Sequence, residues 1–231
     1  MMQDSPTAQF KTIRASDQSL LVRFGERISF DDNRRVASLL RLLEQQPIEG
    51  VRNLHPAYSS LLVVFDALRL DHAGLENKLR EYLARIDLDA AVLPRTIEIP
   101  TCYDAEFGLD LEEVAAICSM TAQEVIALHC AREYTVYFLG FAPGFAYLGD
   151  LPESLEVPRL QIPRRNVPRG SVAVAGRQTA VYPIQTPGGW RILGRTSLNM
   201  FTTKGDAMLH TGDRVRFVPI SRQEFDNMER T

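Results

Sequence analysis

Between Gly140 and Arg195 the chain places eight of its 14 glycines and seven of its 13 prolines. Proline fixes φ and lacks an N–H, and glycine alone enters positive φ without steric cost. A stretch punctuated this densely holds no long helix. It predicts short strands joined by tight turns, the pattern of a β-barrel or sandwich. Candidate strands are residues 134–139, 171–175, 178–182, 190–193 and 213–218, the last entered through the turn Thr211-Gly212-Asp213-Arg214.

The N-terminal part is patterned differently. Residues 1–12 read as a polar tail, and Ser19–Phe24 as a strand ended by Gly25. Val36, Leu39, Leu40 and Leu43 recur at helical spacing over Asp31–Gln46, with Asp31 as the expected cap and Pro47 as the stop. Tyr58–Asp66 reads as a buried strand, and Leu75, Leu79, Tyr82, Leu83 and Ile86 put one apolar face on a helix near 72–86. Strand, helix, strand, helix predicts a small α/β sandwich. Leu93-Pro94 marks the boundary, giving domains 1–93 and 94–231 and an α+β chain. Beyond it come a strand at Thr96–Ile99 ended by Pro100, a helix at Asp110–Cys118, and a second helix opened by the capping box Thr121-x-x-Glu124, with Met120 as its staple.

Charge is as uneven as the turns. Arg159 to Arg195 contains seven arginines and no Lys, Asp or Glu, although the whole chain carries a net charge of −3. The guanidinium fork suits carboxylate and phosphate; the plainer reading is that these arginines are solvated or pair with acids elsewhere. The net charge argues against a general nucleic-acid binder. Three cysteines without a Cys-x-x-Cys suggest neither a disulfide framework nor a zinc site, and His55, His72, His129 and His210 make no metal-ligand pair, so no metal is expected. No apolar run approaches a membrane span and no leader is read, so the expected location is cytoplasmic. There is no phosphate-binding loop and no Gly-x-Gly-x-x-Gly; Gly144 and Gly188-Gly189 either present N–H groups to an anion or only turn the chain. Phe141, Phe145, Tyr147, Tyr182 and Trp190 are mostly core, with one or two free to wall a pocket. His129, late in a helix, reads as structural, and His55, before Pro56, as a speculative proton carrier.

Gly140-Phe-Ala-Pro-Gly-Phe145, Tyr147-Leu-Gly149, Pro163-Arg164, Val167-Pro168, Gly170-Ser-Val172, Tyr182-Pro183, Pro187-Gly-Gly-Trp190, Gly194-Arg-Thr196 and Gly212-Asp-Arg-Val-Arg-Phe217 together resemble the family of 5-oxoprolinase B subunits (PxpB), also called the KipI or allophanate hydrolase subunit 1 family. Ser197 and His210 depart from the family pattern, which expects proline at both. The resemblance implies a small N-terminal α/β domain and a cyclophilin-like β-barrel carrying the glycine-proline motifs. It implies a hetero-oligomer with two partner subunits, one PxpC-like (KipA-like) and one PxpA-like. That complex uses ATP, with Mg, to open 5-oxoproline to glutamate, this chain being inactive alone and holding no tightly bound cofactor. For such chemistry the expected anion contacts are Arg164, Arg169 and Arg195. Gly144, Gly188 and Gly189 would give close backbone approach, and Phe145, Tyr182 and Trp190 would line the site. The resemblance also leaves room for a KipI-like inhibitor of a sensor histidine kinase, or for a carboxyltransferase or allophanate hydrolase-type subunit acting on a urea-like amide.

Overall fold

A computed structural model describes residues 10–86, 94–201 and 204–230. The chain divides into two compact units, Met1–Leu93 and Pro94–Thr231.

The first unit is a four-stranded antiparallel sheet with two helices. Its strands are β1 (Lys11–Ser16), β2 (Ser19–Arg23), β3 (Val51–Pro56) and β4 (Ser60–Phe65), in the order β1-β2-β4-β3. Helices α1 (Phe30–Gln45) and α2 (His72–Ala84) bury Val36, Leu39 and Leu43, and Leu75, Leu79 and Leu83, against Leu20, Val22, Leu61, Val63 and Phe65. Several expectations change in detail. Lys11 and Thr12 belong to β1, which pairs with β2 from the sheet edge and is mostly exposed. Ser29, rather than Asp31, caps α1, its side chain accepting from the Asp32 N–H. His55 lies within β3, a strand whose polar, exposed sequence gives no apolar alternation.

The second unit is built on a seven-stranded sheet. In chain order its elements are β5 (Thr96–Thr101), α3 (Leu111–Cys118), α4 (Ala122–Cys130), β6 (Tyr134–Leu139), β7 (Ala146–Gly149), β8 (Arg164–Val167), β9 (Ser171–Ala175), β10 (Gln178–Val181), β11 (Thr186–Gly188), β12 (Arg191–Arg195), β13 (Arg214–Pro219) and α5 (Arg222–Glu229). The sheet runs β12-β9-β10-β7-β6-β13-β5. Its two ends meet: Cys102 and Arg195 exchange backbone hydrogen bonds of 2.8 and 2.9 Å. The result is a nearly closed barrel in an α+β chain. Pro100 sits inside β5 rather than ending it. The strand tolerates a residue without an N–H because β5 is the terminal strand of the ladder, paired along its length only with β13. Strands β8 and β11 form a separate two-stranded ribbon. The predicted capping box of α4 is present, with Thr121 and Glu124 reciprocally bonded.

The barrel core includes one fully buried histidine. His129 Nδ1 lies 2.9 Å from the Tyr103 hydroxyl, and Nε2 lies 2.9 Å from Thr179 Oγ1. Thr179 donates its hydroxyl to the Ala173 carbonyl. It must therefore accept from His129, which fixes the Nε2–H tautomer and leaves Nδ1 to accept from Tyr103. Both ring nitrogens are satisfied, and the ring packs 4.4 Å from that of Phe217. Burial lowers the His129 pKa to about 3 from the ordinary 6.5.

A base kept neutral in this way contributes its full stability above pH 6.5 and loses it as pH falls toward about 3. Over that range the unfolded chain takes up a proton that the fold excludes. Urea denaturation between about pH 7 and 5 should show the unfolding free energy dropping toward about 1.4 kcal/mol per pH unit from this group. His129→Gln should be less stable throughout, with a flatter slope. Equal slopes in both proteins would mean that His129 is protonated in the folded chain.

Candidate functional site

The Gly140–Phe145 loop is closed by its own backbone. The Gly140 N–H donates to the Phe145 carbonyl at 3.0 Å, and the Phe145 N–H to the Ala142 carbonyl at 3.0 Å. The turn needs positive φ at Phe141 (+68°) and Gly144 (+75°). It delivers Phe145 into a buried aromatic cluster, edge-on to Tyr182 (5.2 Å), Trp190 (5.6 Å) and Tyr147 (5.1 Å). Val167, Ala173, Ala180 and Ile192 complete that cluster. Burial raises the pKa of the Tyr182 phenol. Phe145, Tyr182 and Trp190, expected to line a site, are thus packed into the core at 1%, 1% and 5% exposure.

The motif glycines make room for the protein itself. A β-carbon at Gly144 would stand 2.9 Å from the Phe201 ring. At Gly188 it would overlap the Tyr182 hydroxyl, and at Gly189 it would rest on Pro163. The close approach predicted for these three positions is therefore taken up by neighbouring side chains.

The seven arginines divide into two groups. Arg164 makes a bidentate pair with Asp110, at 2.9 and 2.6 Å, and Asp110 is only 3% exposed. Arg191 is ion-paired with Glu113 at 2.6 Å and donates Nε–H to the Pro158 carbonyl. Arg177 lies 3.5 Å from Glu153, and Arg195 lies 3.9 Å from Glu229 of α5. The other three, Arg159, Arg165 and Arg169, are exposed and have no acid partner among the described residues.

Arg169 and Arg195 are joined through the backbone, since Arg195 Nε donates to the Arg169 carbonyl at 3.0 Å. The Arg195 guanidinium also stacks 5.7 Å over the Phe107 ring. Of the expected anion contacts, these two stay together with cationic capacity to spare, while Arg164 is committed to Asp110. His55 is exposed on β3 in the first unit. A cleft of about 370 Å3 opens elsewhere in the second unit, lined by Tyr103, Asp104, Gly108, Leu111, Glu112 and Ile126 among others, and includes none of the expected site residues. Asp110, read from sequence only as a helix start, is the residue that sequence reasoning missed. Nothing local marks it, because its partner lies 54 positions away.

Comparison with known proteins extends the geometry. Residues 10–210 match the family model of the carboxyltransferase domain, subdomain C and D. The chain is similar to the 5-oxoprolinase B subunit of Bacillus subtilis, with 39% identity over 95% of this chain and 96% of that one. It is similar to the same subunit of Escherichia coli O157:H7, with 53% identity over 54% of this chain and 58% of that one. The crystal structure of TTHA0988 superposes with a TM-score of 0.79 and 38% identity over 88% of this chain. This chain covers 40% of that longer protein.

Removing one partner of a buried ion pair strands the other. Arg164→Ala should destabilise the chain by about 3 kcal/mol, read by urea denaturation. The double variant Arg164→Ala/Asp110→Asn should recover part of that loss. Unchanged stability in Arg164→Ala would return Arg164 to the pool of free anion ligands.

Proposed function

We infer a function from family membership: this chain belongs to the 5-oxoprolinase B-subunit family of carboxyltransferase-domain proteins. It is the B subunit of a 5-oxoprolinase, an enzyme complex that opens 5-oxoproline to glutamate. The end-to-end likeness to the Bacillus subtilis protein carries this reading, because both chains are matched over nearly their whole length. A B subunit works with partner subunits, and we take these to be one of the PxpA type and one of the PxpC type, the latter KipA-like. No helix among the described residues is long and apolar enough to cross a membrane.

A lactam is a poor electrophile, and ATP used by the complex would supply the activation that its opening needs. Mg–ATP does not fit this chain's own residues. The side-chain space at Gly144 and Gly188 is taken by Phe201 and Tyr182, Gly189 rests against Pro163, and among the described residues no cluster of three or more His, Cys, Asp or Glu could hold a metal ion. What the chain offers is a cationic edge. Arg195 is held in place by the Phe107 ring and the Arg169 carbonyl, and Glu229 is its only acid neighbour among the described residues, at 3.9 Å. A substrate carboxylate reaching Arg195 and Arg169 displaces that long contact at little cost and gains a fork of charge-assisted hydrogen bonds. The complex thereby orients the lactam for attack. An arrangement that offers one cationic edge suits a shared active site.

Glutamate formation from 5-oxoproline and ATP should appear when this chain is added to its purified PxpA-like and PxpC-like partners, and be absent without it. In the assembled complex, Arg195→Ala should lower turnover by about 10²-fold. Full turnover by that variant would remove Arg195 from the site. A complex that assembles without forming glutamate would overturn the substrate assignment.

A further inference from the structure

The aromatic cluster under the Gly140–Phe145 loop is buried, yet three large apolar side chains around it stand in solvent. Phe141 is 62% exposed, Ile162 84% and Ile184 40%. All three stand on the loops that flank the cluster. The Phe141 ring meets Phe145 at 5.3 Å. Gly144 abuts Pro183, the residue before Ile184. Ile162 precedes Pro163, which packs on Gly189 beside Trp190. Phe141 adopts φ +68°, a region that bulky residues rarely enter and that clusters at functional positions. One edge contact with Phe145 is what this arrangement gains within the chain, while most of the phenyl ring stays in water.

The β8–β11 ribbon that Ile162 and Ile184 lead into carries uncompensated charge. Arg165 on β8, with Arg159 and Arg169 flanking it in sequence, is exposed and lacks an acid partner among the described residues. Arg159 lies 5.9 Å over the Trp190 ring, which ties it to the cluster. Exposed aromatic and arginine side chains together have the composition of interface hot spots. A second copy of this chain would set arginine against arginine, which complementary interfaces avoid.

We propose that this surface is an interface whose occupant is a partner protein of the 5-oxoprolinase complex, one that presents carboxylates around an apolar recess receiving Phe141. The inference rests on the reading of this chain as a B subunit and adds to it the surface and the chemistry of the partner. Phe141 is the anchor, Ile162 and Ile184 exclude water around it, and Arg165 steers the approach of the acidic partner.

Binding of the full chain to the purified PxpA-like and PxpC-like partners, followed by surface plasmon resonance at two salt concentrations, tests this. Glycine takes φ +68° without strain, so Phe141→Gly should fold with unchanged or higher thermal stability and still bind at least about tenfold more weakly. Arg165→Glu should slow association several-fold and reduce its salt dependence. If the wild-type chain binds and both variants match it, the interface assignment is overturned while the B-subunit reading stands. If the wild-type chain binds neither partner, the reading itself fails, and the proposal with it. A self-associating wild type whose dimer is lost in Phe141→Gly would overturn the acidic partner in favour of a second copy.

Discussion

The carboxylate of Asp110 fastens three pieces of the second unit together. It sits at the N-cap of α3, yet its side chain makes no cap hydrogen bond. It accepts both arms of Arg164 from β8 and the Ile192 N–H from β12, the latter at 2.7 Å, while its own N–H donates to the Ile192 carbonyl at 2.9 Å. A buried carboxylate is tolerated only when its charge and lone pairs are met, so helix, ribbon and barrel strand must all be in register for any one of them to be stable. Downstream of that anchor, β12 carries Arg195 to the seam where the sheet closes on Cys102. Upstream, Trp190 is set into the aromatic cluster. The strand that carries the cationic edge is thus tied to this one buried pair.

The carboxylate-free run of arginines becomes intelligible in the same terms. With no acid inside Arg159–Arg195, every neutralising partner has to come from another segment, and Asp110, Glu113, Glu153 and Glu229 supply it. The two best buried pairs are structural cross-links. The exposed pairs are worth little in water, which leaves Arg195 and its neighbour Arg169 open to an outside anion. Segregation of charge in the sequence therefore serves folding through the buried pairs, and burial sets these apart from the exposed arginines.

Much of the fold was legible because its signals are local. The apolar spacing of α1 and α2, the Thr121 capping box and the apolar strands β6, β9 and β10 all carry their pattern within a few residues. Apart from β7, whose four residues bury Ala146 and Leu148 but are too few to show a period, the misses are elements that bury little. Strand β1 is almost wholly exposed, and β3 alternates poorly. Strand β11 is three residues around a proline. Helix α5 buries only Phe225, so it lacks an apolar stripe, although Ser221 and Glu224 form a capping box that sequence alone would have flagged. The candidate site is marked in the sequence only by a charge asymmetry and a turn density. Which arginine is free was not legible, since that depends on contacts such as Arg164 to Asp110 across 54 residues.

The glycine and proline motifs code first for packing. Gly188 yields its side-chain space to Tyr182, Gly170 to the Thr196 carbonyl, Gly149 to Tyr137, and Gly144 to Phe201. Each substitution for Ala would push an atom into a filled position, so these residues are required whether or not a ligand ever approaches. Phe141 is the exception within the same loop. It holds a positive φ with a large side chain and fills no space in the core. A loop that satisfies every packing demand and still spends strain on an exposed ring is built to meet something outside the chain. The same reasoning applies to the arginine edge: on the proposed reading the chain supplies one half of a site, and a partner protein the other.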